Sequence, residues 1–222
     1  MSPNNKHVVF DVVGTYHQVQ GPKQETIIDK CITGTCVTYE AFFSALDARL
    51  GDRLRSANIG PRIFGYAWMA AAEKEYTYLS MSGAPYVKVF DVFRSVFYRT
   101  LWQAGVAEPR RLAADEDREF VLEAYRRLKP RDGLRECFDK LRAAGFTVWA
   151  LTSGDTQRVS RYLEMAGVEL PPKNFASCDS IGVGKPAPAS YRHILEKLPE
   201  KDREAWFAAA HAWDASAAGY SG

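Results

Sequence analysis

Asp11 closes an apolar run, Val8-Val9-Phe10-Asp11-Val12-Val13-Gly14-Thr15, and the chain breaks at once at Gly14-Thr15. The run reads as a buried strand that hands one carboxylate to its carboxyl end, the edge where open α/β sheets bind ligands. An acid there can be a nucleophile, a metal ligand or a turn former. Three further polar clusters sit at the ends of elements. They are Thr152-Ser153-Gly154 after Trp149-Ala150-Leu151, then Gly184-Lys185-Pro186, then His211-Ala212-Trp213-Asp214 after Phe207-Ala208-Ala209. A hydroxyl, an ammonium and a second carboxylate converging on Asp11 would give a charge-compensated nucleophile.

Positioning those groups takes a parallel sheet. After Pro130, strand and helix alternate. Residues 131–144 read as an amphipathic helix stopped by Gly145, and Phe146 to Leu151 as a strand. A helix over 155–166 stops at Gly167. A short strand over 175–177, a helix over 188–198 and a strand over 206–210 follow. Such alternation with short connections implies an α/β fold with a parallel sheet. Residues 38–129 instead read as mostly helical, with no strand. Phe42, Phe43, Leu46 and Leu50 fall at helical spacing, as do Tyr86, Phe90, Phe93, Phe97 and Leu101, and Phe120, Ala124 and Leu128. Gly83-Ala84-Pro85 and Glu108-Pro109 punctuate them. One α/β core is thus split by a helical insertion placed after its first strand.

Composition narrows the class. The chain has 222 residues, 46% hydrophobic and 25% charged, with a formal net charge of +2. That balance suits an ordinary globular protein and gives no basic footprint for nucleic acid. Cys31, Cys36, Cys137 and Cys178 show no C-x-x-C spacing. Scattered thiols of this kind argue against a zinc or redox motif and suit a cytoplasmic location. No apolar stretch is long enough for a signal peptide or a membrane span. His7 and His17 read as surface residues.

The four motifs in this order, FDxxGT, LTSG, GKP and HAWD, resemble those of the haloacid dehalogenase superfamily. The match is nearest to its 2-haloacid dehalogenase-like branch, with a Rossmann-like core and a helical cap inserted after strand 1. Phe64-Gly65-Tyr66-Ala67-Trp68 and Ala209-Ala210-His211-Ala212-Trp213-Asp214 resemble fungal-type members. The resemblance covers nearly the whole chain. It implies a core over 1–15 and 130–222 and a cap over 36–129. It implies that Asp11 is the nucleophile, that Lys185 keeps it ionised, and that Asp214 orients Lys185 and helps activate water. Thr15 or Thr35, Thr152, Ser153, Tyr191 and His211 would bind substrate. Phosphatase members carry a second aspartate two residues after the first; here that position is Val13, which cannot protonate a leaving alcohol. Motif IV offers one acid, Asp214, where magnesium needs more oxygen ligands, so no metal and no cofactor are expected. The expected partner is a small-molecule substrate, with neither nucleic acid nor membrane; related enzymes are commonly homodimers.

The departures from the pattern bear on substrate. The cap arginine of dehalogenases aligns with Ala70, and Arg62 or Lys74 are its conceivable substitutes. Motif II has Ser153 for asparagine, and motif IV has Ala209 and His211 for serine and asparagine. Residues 15–34 form a second anomaly. Gly14-Thr15 recurs as Gly34-Thr35, 20 residues later, and Cys36 onward continues the family pattern. The segment reads either as a retained intron, with GT at the Gly14 codon and AG at the Thr33-Gly34 junction, or as a surface loop. If it is an intron, Thr35 is the family threonine. The chain also ends soon after motif IV, where relatives add a strand and a helix, which leads to the expectation of a bare core edge.

Each residue has a plainer reading too. Asp11 and Asp214 can be turn or cap acids, Thr152 and Ser153 helix caps, Lys185 a loop lysine, Tyr191 helix packing and His211 a core histidine. The motif set favours a hydrolase that displaces halide from a small 2-substituted acid through an aspartyl ester. The alternatives are another reaction through Asp11 in secondary metabolism, and an inactive or mis-spliced relative.

Overall fold

The computed structural model describes residues 6–13, 36–198 and 204–222. Thr15, His17, Cys31, Thr35 and the 15–34 segment lie outside the described residues. The described chain forms two compact units, one of residues 1–37 and 130–222, the other of residues 38–129.

The first unit is built on a parallel sheet. Strands β1 (Lys6–Phe10), β4 (Phe146–Thr152), β5 (Phe175–Ser177) and β6 (Glu204–Ala208) run in the order β5-β4-β1-β6. Val8 lies beside Val148 and Trp206, and Val9 beside Trp149 and Phe207. Alternate residues therefore feed opposite faces. Val8, Phe10, Val148, Ala150 and Ala208 pack on one face against Phe138, Leu141, Val159 and Leu163. Val9, Trp149 and Leu151 pack on the other against Tyr191, Ile194 and Leu198. Burial on both faces explains why these strands read as unbroken apolar runs. Helices α6 (Leu134–Ala143), α7 (Thr156–Met165), α8 (Cys178–Ile181), α9 (Pro188–Leu195) and α10 (Ala212–Gly219) complete this unit. The chain leaves β1 toward β4 and β5, then returns to place β6 on the opposite side of β1. The switch point lies between β1 and β6, where such sheets open a crevice at their carboxyl ends.

The second unit holds α1 (Glu40–Ser56), α2 (Pro61–Met81), α3 (Val89–Gln103), α4 (Pro109–Leu112) and α5 (Asp115–Tyr125). Trp68 is fully buried in it, its ring 4.9 Å from Phe93, 4.6 Å from Phe97 and 5.8 Å from Phe42. Its Nε1–H donates to the Phe93 carbonyl at 2.9 Å, so the large apolar body is buried with its polar atom satisfied. Gly65 lets α1 and α2 close up, since a Cβ there would stand 2.9 Å from Leu46 and Phe43.

Four expectations need correction. The 38–129 stretch is not free of strand, since β2 (Val37–Thr38) and β3 (Lys129–Pro130) pair at its two ends. Phe120 is half exposed beneath the Arg49 guanidinium, and Val121 and Leu122 face the core instead. His7 is buried, and its Nδ1 accepts from Trp149 Nε1 at 3.2 Å. Burial lowers its pKa. The last strand lies at Glu204–Ala208, two residues earlier than the sequence pattern suggests.

Asp117 gives this helical unit a measurable pH dependence. Its carboxylate takes Arg53 at 2.8 Å, Arg49 at 2.7 Å and the Ala114 backbone N–H at 2.9 Å. The Arg53 hydrogen bond foremost, outweighing burial, lowers its pKa to about 2. The resulting stability is present above the ordinary aspartate value and is lost as pH falls through about 2. With both arginines partly in solvent, Asp117→Asn should cost about 1–2 kcal/mol at pH 7. Urea unfolding should show that gap shrinking as the solution is acidified.

Candidate active site

Asp11 follows directly on β1. Its backbone N–H donates to the Ala208 carbonyl at 2.8 Å, which ties it to the end of β6 across the switch point. Its carbonyl lies 4.0 Å from the Cys36 sulfur. The carboxylate is almost wholly buried. Two loops bring its partners. Beyond β5, the short α8 is stopped by Gly182 at φ +73°, a left-handed turn that glycine adopts without strain. The chain then presents Lys185. Beyond β6, α10 opens with Asp214 in its first turn, where a carboxylate also suits the helix dipole.

Lys185 Nζ donates to Asp11 Oδ1 at 3.0 Å and to Asp214 Oδ2 at 2.9 Å. Tyr191, on the buried face of α9, donates its hydroxyl to Asp214 Oδ1 at 2.5 Å. Asp11, Lys185, Tyr191 and Asp214 thus form one bonded chain from which water is nearly excluded. Burial alone would discharge Lys185, but the charges of Asp11 and Asp214 outweigh it and hold the ammonium well above the usual lysine range. Burial, with the Asp214 charge, pushes the Tyr191 phenol far up, so it stays a donor. Burial and the Asp11 charge raise Asp214 despite Lys185. With both acids ionised the cluster carries one excess negative charge.

The remaining candidates have different settings. Thr152 is fully buried, and its Oγ1 accepts the Gly154 N–H at 3.1 Å, shaping the turn beyond β4. The Gly154 carbonyl accepts from Ser177 at 2.6 Å. The cap of α7 is Asp155, which accepts from the Arg158 N–H at 2.9 Å, rather than Thr152 or Ser153. Ser153 is half-buried on that turn. His211 precedes α10 with its ring stacked on Trp213 at 5.7 Å. In the helical unit Ala70 is exposed. Arg62 is held by both oxygens of Glu40, at 3.1 and 2.8 Å, and lies over Phe43. Lys74 lies over Tyr78.

A hard divalent cation does not fit this donor set. The ammonium of Lys185 already stands between the two carboxylates, Val13 adds no side-chain oxygen, and no third acid joins them among the described residues.

A family model for haloacid dehalogenase-like hydrolases matches residues 5–222. The chain belongs to that family. Among curated proteins it is 28% identical over 108 residues to (S)-2-haloacid dehalogenase 2 of Pseudomonas sp. (strain CBS-3), covering 49% of this chain and 47% of the relative. It is 26% identical over 105 residues to (S)-2-haloacid dehalogenase 4A of Burkholderia cepacia, covering 47% and 46%. The match spans about half the length of these curated relatives. The L-2-haloacid dehalogenase structure from Xanthobacter autotrophicus superposes with a TM-score of 0.66 at 20% identity, covering 97% of this chain and 74% of that one. A dehalogenase solved with an intermediate complex gives 0.69 at 16% identity, covering 100% and 84%. These structures share the fold. A haloacid dehalogenase-like hydrolase with this core is an enzyme built on a Rossmann-like parallel sheet, and no helix among its described residues is long and apolar enough to cross a membrane.

Sequence reasoning missed Phe207, whose ring faces Lys185 Nζ at 5.0 Å. A phenylalanine within an apolar run signals burial but not what it is buried against.

Proposed function

We infer that the protein displaces halide from a small 2-substituted acid, with Asp11 as the attacking group. One observation carries the reading: a single buried ammonium, Lys185, bridges Asp11 and Asp214 at the switch point of the sheet. The pairing leaves Asp11 Oδ2 out of the Lys185 contact. That oxygen attacks C2, the new C–O bond forms as the carbon–halogen bond breaks, and halide leaves with the bonding electrons. Water then adds to the ester carbonyl of Asp11 as Asp214 takes one of its protons, that proton passes to the alkoxide oxygen of the departing 2-hydroxy acid, and the Asp11 carboxyl releases the other to solvent, which restores the carboxylate. Asp214, held by Tyr191 and Lys185, is the acid placed to orient Lys185 and take the water's proton. Halide needs no proton to leave, which accords with Val13 where phosphatase relatives carry an acid.

Ala70, at the position where the resemblance aligns the cap arginine of dehalogenases, supports a second reading, in which the leaving group is not halide.

Turnover of 2-chloropropionate in heavy-oxygen water separates ester formation from direct hydrolysis. Heavy oxygen is expected in the peptide carrying Asp11 after several turnovers, read by mass spectrometry. Label in the product alone, with Asp11 unlabelled, would mean that water attacks carbon directly.

A further inference from the structure

The Lys185 ammonium has three N–H groups and a nearly dry setting. Two of them reach Asp11 and Asp214. An aromatic ring also stands against it. Phe207, opposite Val9 on β6, places its ring centroid 5.0 Å from Nζ, within the range of a cation–π contact. The same ring meets the Tyr191 ring at 5.5 Å and 76°, an edge-to-face packing. Phe207 thus touches both the bridging cation and the donor that fixes Asp214.

Phe207 also lines a cavity of about 250 Å³ with Val9, Leu151, Ile194, Trp206 and Ala218. The hollow is half open to solvent and its lining is mostly apolar. The ring therefore stands where an apolar hollow adjoins a cluster of three buried charges. Without it, the ammonium would face that hollow, and water following the charge would reach the cluster.

We propose that Phe207 is a positioning residue for the Asp11–Lys185 pair: its ring supports the third side of the ammonium and seals the charge cluster from the cavity behind it. The proposal rests on the reading of Asp11 and Lys185 as the reacting pair, and its test is chosen to stand without that reading. Phe207→Leu keeps apolar bulk and removes the ring face. Phe207→Tyr keeps the ring. Ile194→Ala enlarges the same cavity from the helix side.

Two quantities are measured in each protein. One is acetylation of Lys185 by an N-hydroxysuccinimide acetate ester, followed by peptide mass spectrometry. The other is kcat and KM on 2-chloropropionate. Phe207→Leu should raise the Lys185 labelling rate severalfold. It should also lower kcat roughly tenfold with KM nearly constant, because the ring acts on the lysine and not on the substrate. Phe207→Tyr should return both toward wild type. Ile194→Ala should lower the melting temperature without raising labelling. The proposal is overturned if Phe207→Leu labels at the wild-type rate, or if Ile194→Ala raises labelling as much. Should the wild-type protein leave 2-chloropropionate untouched while Phe207→Leu still exposes Lys185, the halide reading fails and the role of the ring stands.

Discussion

Asp11→Asn should abolish turnover, lowering kcat/KM on a 2-halo acid by on the order of 10⁴ or more, while the protein stays folded. The amide is the same size as the carboxylate, and its oxygen can still accept from Lys185 at the observed 3.0 Å. It is a far poorer nucleophile and carries no charge to drive out halide. Stability should change little, for a reason specific to this cluster. In the wild type one ammonium serves two acids, and the charge of Asp11 helps raise Asp214. Removing that charge leaves Lys185 and Asp214 as a balanced pair. The loss of one charge-assisted hydrogen bond is thus offset by relief of repulsion between buried acids. Halide release and thermal unfolding on the same preparation decide the matter. An Asp11→Asn protein that still releases halide at a tenth of the wild-type rate would remove Asp11 from the chemistry. A protein that unfolds would make Asp11 a structural acid.

How much of this was legible beforehand depends on how each feature is encoded. The central strands were plain because both their faces are buried, so Val8 to Phe10 and Trp149 to Leu151 are apolar without a break. The polar groups behind those runs gave away the carboxyl edge, and three of them, Asp11, Lys185 and Asp214, meet there. Tyr191 was suggested only by resemblance, since its helical spacing fits packing equally well. Other features left no such mark. Strands β2 and β3 are two residues each, too short for any period. The end of β6 was misplaced because Ala208-Ala209-Ala210 offers no polar stop. Phe120 fits the helical spacing yet covers itself with Arg49 in place of the core. His7 looked exposed because the ring it bonds, Trp149, is 142 residues away. Pairing across such distances is a property of the register and not of any window of sequence.

Lys185→Met tests that register most severely. Methionine fills nearly the same apolar path but leaves Asp11 and Asp214 facing each other with no cation between them. Breaking a buried ion network from one side strands the remaining charges, at a cost of about 3–5 kcal/mol. The loss should be largest at neutral pH and should shrink in acid, and the sign can be worked out from Asp214. Its carboxyl already lies above the usual range through burial and the Asp11 charge, with Lys185 opposing. Without Lys185 it rises further. A carboxyl raised in the folded state favours folding below its unfolded value and loses that contribution as pH climbs through its folded value. Urea midpoints for wild type and Lys185→Met should therefore converge from pH 8 toward pH 4 and diverge in the other direction. Activity should fall with the pair, since the nucleophile loses the charge that holds its geometry. A constant gap across that range would mean that the ammonium contributes packing alone, and the case for a charge-compensated nucleophile at the end of β1 would fall with it.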